Sequence, residues 1–206
     1  MAVSSKLIAF QKSGTTAPAS FTQTLTGAGF TPKGAIFWSV ASDSSFTDNH
    51  RPGYGFSDGT NNRAVAWATN DNNTTTRSAR VNSDDACFLD TSANGIVAVQ
   101  FKVIAWTADG CTIQYDINDN SSYDIFVWFF GGADILNVKA GTFNASTVTG
   151  TQTITDPGFT PSMDYCNKWS STWRSYCSQE RQLYHRRSHI HKYQGDQLNV
   201  ADSNTR

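Results

Sequence analysis

The residues best suited to chemistry crowd into one segment, SDSSFTDNHRPGYGFSDGTNN (42–62). It holds Asp43, Asp48, His50, Arg51, Tyr54, Asp58, Asn61 and Asn62. An aromatic ring can lie against the C–H face of a sugar, while Asp, Asn and Arg side chains take its hydroxyls. The segment reads as a connection too long for a hairpin, and long loops on a compact domain often carry function. The expected ligand-binding set is Asp48, His50, Arg51, Tyr54, Asp58, Asn61 and Asn62. The competing reading is a solvated loop whose Asp58-Gly59 simply makes a turn.

Other constellations fit catalysis or metal binding less well. Asp116, Asn118 and Asn120 alternate like the start of a calcium loop. Ser121 stands where the loop needs Gly, however, and Val127 where it needs Glu, so an Asx-rich turn is expected. Asp84-Asp85 is the adjacent acid pair. A glycosidase places its two carboxyls across one bond, whereas neighbours on a strand point to opposite faces, so a turn or salt bridge is expected there. Cys87 and Cys111 sit in apolar runs and read as small buried hydrophobes. Cys166 and Cys177 precede His185, His189 and His191, but not at zinc-finger spacing. No phosphate loop or nucleophile elbow occurs. No catalytic residue, metal or cofactor is expected, and the protein is read as non-enzymatic.

Strands must position these groups. In CTIQYDI (111–117), Cys111, Ile113, Tyr115 and Ile117 alternate with Thr112, Gln114 and Asp116, giving one dry face. IVAVQFKVIAW (96–106) does the same with Val97, Val99, Phe101 and Val103. Asp109-Gly110 between them predicts a hairpin, whose turn needs φ > 0. LIAF (7–10), FTQTLT (21–26), GAIFWSV (34–40), RAVAWAT (63–69), ACFLD (86–90), YDIFVWFF (123–130) and TQTIT (151–155) are further strands. YDIFVWFF is apolar enough to be covered on both faces. Short strands separated by Gly/Asn/Asp turns predict an all-β, antiparallel, jelly-roll-like sandwich.

Composition divides the 206-residue chain. Residues 1–161 hold thirteen Asp, no Glu and nine Lys+Arg, a charge of −4. Residues 162–206 hold seven Lys+Arg against four acids, a charge of +3, with three of the four His. A net charge of −1 disfavours nucleic-acid binding, which needs clustered cations to displace counterions. Without a run of 18 apolar residues no membrane insertion is expected. The opening MAVSSKLIAFQKSG carries no apolar core of a secretory signal.

TQTLTGAGFTP (22–32) returns as TQTITDPGFTP (151–161), with eight of eleven positions identical. A repeat at this distance implies tandem modules rather than a solenoid. The expected division is a sandwich module over 1–134, the start of a second copy over 135–161, and an aberrant, poorly ordered or weakly helical tail over 162–206. Trp169, Trp173, Tyr176, Glu180 and Tyr184 supply the helical intervals. The change in residue usage at 162 fits a truncated or frame-shifted end to the second copy.

GFTPKGAIFW (29–38), GYGFSDGTNNR (53–63) and the returning GTF…TGTQTIT…GFTP (141–161) together resemble a family of duplicated β-sandwich proteins. These are encoded in tailed-phage and environmental viral genomes, often near virion or tail-fibre genes. The resemblance covers residues 6–161 and implies a structural role in the virion, tail- or fibre-associated. It further implies assembly in the host cytoplasm with other virion proteins, as a homo-oligomer. Loops such as 42–62 would touch a host-surface glycan. The alternatives are a free-standing lectin-like module and, third, a glycan hydrolase.

Overall fold

A computed structural model describes residues 3–14, 21–41, 49–70, 77–144, 148–168 and 173–181. Among them are thirteen strands and no helix, and hence no helix long and apolar enough to cross a membrane. In chain order they are β1 (Ser4–Gln11), β2 (Phe21–Thr26), β3 (Pro32–Ala41), β4 (Asn49–Ser57), β5 (Asn62–Asn70), β6 (Arg77–Ser83) and β7 (Phe88–Thr91). There follow β8 (Val97–Thr107), β9 (Gly110–Ile117), β10 (Asp124–Gly131), β11 (Ile135–Asn144), β12 (Met163–Lys168) and β13 (Trp173–Arg181).

A six-stranded sheet, β1-β10-β3-β4-β5-β6, packs on a four-stranded sheet, β2-β9-β8-β7, and every pairing is antiparallel. This is the expected all-β sandwich. β1 lies beside β10 and β2 beside β9, so the first two strands pair with the last two of these packed sheets as in a jelly roll. The strands between run as two meanders, β3 to β6 and β7 to β9.

Period-two alternation builds the core. Ala35 and Phe37 of β3, and Ile125, Val127 and Phe129 of β10, meet Val99, Phe101 and Val103 of β8 and Cys111, Ile113 and Tyr115 of β9. Phe101 is the hub, with ring centroids 5.0 Å from Phe88, 5.5 Å from Phe37 and 5.3 Å from Tyr115. Such pairs add about 0.5–1.5 kcal/mol each beyond the area they bury. Cys87 and Cys111 are free buried thiols, as their apolar surroundings implied, and burial pushes the Cys111 thiol up to about 12.

The Asp109-Gly110 signal is realised as the turn between β8 and β9. Asp109 also reaches the first copy of the repeat. Its carboxylate accepts from the Gly27 and Gly29 amides, and its carbonyl from the Ala28 amide. Gly29 holds φ +78° there, a left-handed conformation that costs glycine little.

Three expectations differ from the structure. The described part of 42–62 is not a long loop: residues 49–57 form β4, between β3 and β5. Gly53 and Gly55 serve close packing within it. A Cβ on Gly53 would lie 2.0 Å from the Leu89 carbonyl oxygen, and one on Gly55 2.1 Å from that of Cys87. Glycine lets the sheets approach at this point.

The second difference is TQTIT (151–155), which is exposed and forms no strand. Its counterpart in β2 is held by β9 in the register Thr22↔Gln114 to Thr26↔Gly110. No described strand offers 151–155 such a ladder. The glycine that follows keeps its left-handed conformation, Gly158 at φ +75° against +78° at Gly29, but its amide bonds to the Thr155 carbonyl where that of Gly29 bonds to Asp109.

The third is the tail. Where the spacing suggested a helix, the described residues 163–168 and 173–181 are strands β12 and β13, paired as β11-β13-β12. β13 pairs with β11 over Ile135↔Arg181 to Asn144↔Trp173, a partner remote in the chain that the residue spacing within the tail does not show. β11 lies on the outer face of the six-stranded sheet, where Ile135 and Ala140 join Ile36, Phe56 and Phe130 in a second apolar cluster.

Candidate functional site

The expected binding residues separate. Asp43 and Asp48 lie outside the described residues. Arg51 points into the sandwich and grips Asp90 of β7 with both arms, Nε to Oδ1 at 2.9 Å and Nη2 to Oδ2 at 2.7 Å. The Tyr123 hydroxyl donates to the same carboxylate at 3.0 Å. Asp90 is 1 % exposed, and burial pushes its carboxyl above the ordinary range although Arg51 and Tyr123 pull the other way. This bidentate pair ties the two sheets together.

Asp58 and Asn61 form a turn. The Asp58 carboxylate accepts from the Thr60 and Asn61 amides and from the Asn61 side chain. It also accepts from the Ala140 amide at 3.0 Å, pinning β11 against the turn. Asn62 is buried at the bulge of β8, where Oδ1 accepts from the Val103 amide at 3.1 Å and Nδ2 donates to the Val103 carbonyl at 3.4 Å. Its amide acts as a substitute strand partner.

The calcium-like stretch does bind a cation, but a tethered one. Asn118 Oδ1 and the Asp119 carbonyl, with the Asp119 carboxylate at 2.9 Å, surround the Lys12 ammonium. Asp84 and Asp85 are exposed and face Arg63 and Lys102, as the salt-bridge reading held. Among the described residues no group of three His, Cys, Asp or Glu is placed to hold a metal.

Tyr54 and His50 remain, on the outer face of the six-stranded sheet. Strand register assembles that face. Phe126 of β10 pairs with Trp38 of β3, and Trp38 with Tyr54 of β4. Tyr54 stacks diagonally on Trp67 of β5 at 5.8 Å and 14°, and Trp38 on Phe126 at 5.8 Å and 19°. Phe126 is 39 % exposed; Trp38, Tyr54 and Trp67 are half-buried. An aromatic row therefore crosses four adjacent strands, on the face that β11 and β13 also contact, with Trp38 packed against the cluster that Ile135 and Ala140 of β11 complete. The opposite face of the sandwich carries Thr22, Thr24, Lys102, Thr112, Gln114 and Asp116 instead, an ordinary solvated surface.

At the end of the row, β5 and β6 enclose a depression of about 290 Å³ lined by Trp67, Thr69, Ser78 and Arg80 with Ala68 and Ala79. Trp67 is opposite Arg80 and Thr69 opposite Ser78, while exposed His50 is opposite Thr69. Of the expected set, then, His50 and Tyr54 belong to this face. Sequence reasoning missed Trp38, Trp67, Ser78, Arg80 and Phe126. The usable signal was the alternation of RAVAWAT, which puts Trp67 opposite in sense to its small Ala neighbours.

No family model, curated protein or solved structure matches the chain.

Proposed function

We propose that this protein is a non-enzymatic structural component of a phage virion, tail- or fibre-associated, that touches host-surface glycans with the outer face of its six-stranded sheet. The observation that carries the glycan contact is the row Phe126, Trp38, Tyr54 and Trp67 across adjacent strands. Aromatic side chains offer apolar contact to sugar C–H groups at low conformational cost. Hydroxyls and charges for the sugar's polar edge stand at the row's end. The glycine-aromatic motifs of residues 29–38 and 53–63 support the virion setting. A stiff two-sheet body repeated in a homo-oligomer would turn weak single contacts into avidity.

Glycan-array binding by the full chain tests this, with Tyr54→Ala and Trp67→Ala as variants. Binding lost in both variants, with melting unchanged, is the expected result. Binding untouched by either substitution refutes the assigned face. The same row would serve a free-standing lectin. Immunogold labelling of purified particles separates the two, since a virion component is carried by the particle and a free lectin is not.

A further inference from the structure

We infer that residues 151–155 of one copy add as a further strand to the outer edge of β2 in a second copy, joining copies head to tail. This deepens the homo-oligomer part of the reading above and does not depend on the glycan face. The first observation is a strand sequence left over from the repeat. β11 and β12 flank β13 antiparallel, as β1 and β3 flank β10, and each GFTP motif leads into a strand, β3 or β12. The second copy thus rebuilds that arrangement, while TQTIT, the counterpart of β2, is exposed and forms no strand. Within it Gln152 holds the Asn144 carbonyl, the Thr155 carbonyl accepts from the Gly158 amide, and Ile154 is 37 % exposed.

The second observation is the edge itself. β2 ends the four-stranded sheet, and FTQTLT carries no charge, no proline and no bulge. Edge strands are normally guarded by charge or by shortness, because an open ladder invites another chain. The other edges among the described strands are guarded: β1 carries Lys6, β6 Arg77, β11 Lys139 and β12 Asp164, and β7 is four buried residues long. Antiparallel addition with Thr153 opposite Thr24 sets Thr151 opposite Thr26 and Thr155 opposite Thr22. Three Thr pairs then continue the solvated face, and Ile154 comes to the inward side, diagonal to buried Leu25. Taking the place of β2 on β9 is a worse fit. Asp109 there accepts from the Gly27 and Ala28 amides, whereas Pro157 has no amide to offer and Asp156 adds a like charge. A contact between two different surfaces is heterologous, so it builds rings or open chains of copies.

The test mixes two variants of the full chain, Thr24→Cys and Thr153→Cys, each also carrying Cys166→Ser and Cys177→Ser; Cys87 and Cys111 stay buried. In a glutathione redox buffer the mixed disulfide dimer is expected at least about tenfold faster than between Thr153→Cys and Asn82→Cys of β6, because opposed residues of paired strands lie within disulfide reach. Sedimentation of the parent should show mass rising with concentration. Ile154→Lys and Thr153→Pro should stay at one copy with melting unchanged, since 151–155 lies outside the sheets. A mixed dimer no faster than the β6 control overturns the inference. So does faster cross-linking of Thr153→Cys to Thr112→Cys, which would mean that β2 is displaced, or a cross-link formed within one chain carrying both cysteines at high dilution. Mass that rises equally in the parent and both variants overturns this contact while the homo-oligomer stands. A parent that stays at one copy throughout removes the inference together with the homo-oligomer.

Discussion

Replacing Lys12 by Met deletes a charge from the inside of the sandwich end while keeping most of the side chain's length. The Lys12 side chain is 0 % exposed. Its ammonium donates to Asn118 Oδ1 at 2.7 Å, to the Ser13 carbonyl at 3.0 Å and to the Asp119 carbonyl at 3.0 Å, and pairs with the Asp119 carboxylate at 2.9 Å. Removing one partner of a buried pair costs about 3–5 kcal/mol, because the other charge is stranded. Asp119 is 30 % exposed and can rehydrate, which lowers that figure. The remaining loss, chiefly the orphaned carbonyls and amide, is about 2–4 kcal/mol. For a domain of this size it corresponds to a fall in Tm of about 5–15 °C. Urea unfolding of Lys12→Met against the parent, followed by tryptophan fluorescence, gives the value directly, with the m-value unchanged. Asn118→Ala should cost less, and the two substitutions together less than their sum, since both break one network. A Lys12→Met protein within about 0.5 kcal/mol of the parent would refute the view that the 118–119 oxygens need their cation.

Three more outcomes follow from the same geometry. Gly53→Ala places a methyl 2.0 Å from the Leu89 carbonyl oxygen and should cost about 3 kcal/mol or more, read as lost soluble yield or a collapsed denaturation midpoint. Asn62→Ala leaves the Val103 amide without its partner at the β8 bulge and should cost about 1–3 kcal/mol in the same assay. Backbone donation from Gly29 and Gly27 holds the Asp109 carboxyl below its ordinary range, so its contribution to stability is present above the unfolded carboxylate pKa and disappears as pH falls through the lower folded value. Asp109→Asn should therefore flatten the acid limb of a stability profile below about pH 4, and an unchanged limb would disprove the link.

The sequence was legible where one strand face meets the core and the other meets water. CTIQYDI and IVAVQFKVIAW declared their inward residues through alternation alone, and Asp109-Gly110 declared the turn between them. β4 was hidden because Gly53 and Gly55 resemble turn residues, and their real reason, the carbonyl oxygens of Leu89 in β7 and of Cys87 just before it, is remote in the chain. Arg51 looked available for a ligand because its partner, Asp90, is 39 residues away. TQTIT has strand propensity without a ladder, showing that a strand is a pairing and not a local property. YDIFVWFF ran apolar on both sides for two different reasons: Val127 and Phe129 fill the core, while on the outer face Trp128 and Phe130 pack in the second cluster with β11, leaving Phe126 partly exposed. Pairing across strands decides which rings stand together, and one strand read alone does not contain it.

The most direct measurement is the movement of tryptophan indole N–H signals in two-dimensional NMR as an array-positive oligosaccharide is titrated in. Trp38 and Trp67 belong to the outer aromatic row, whereas Trp106 packs against the core at 6.5 Å from Phe129. Concerted shifts at Trp38 and Trp67 with Trp106 stationary are the expected result. Shifts confined to Trp106, or saturation binding that leaves all three unmoved, would contradict a ligand face on the six-stranded sheet.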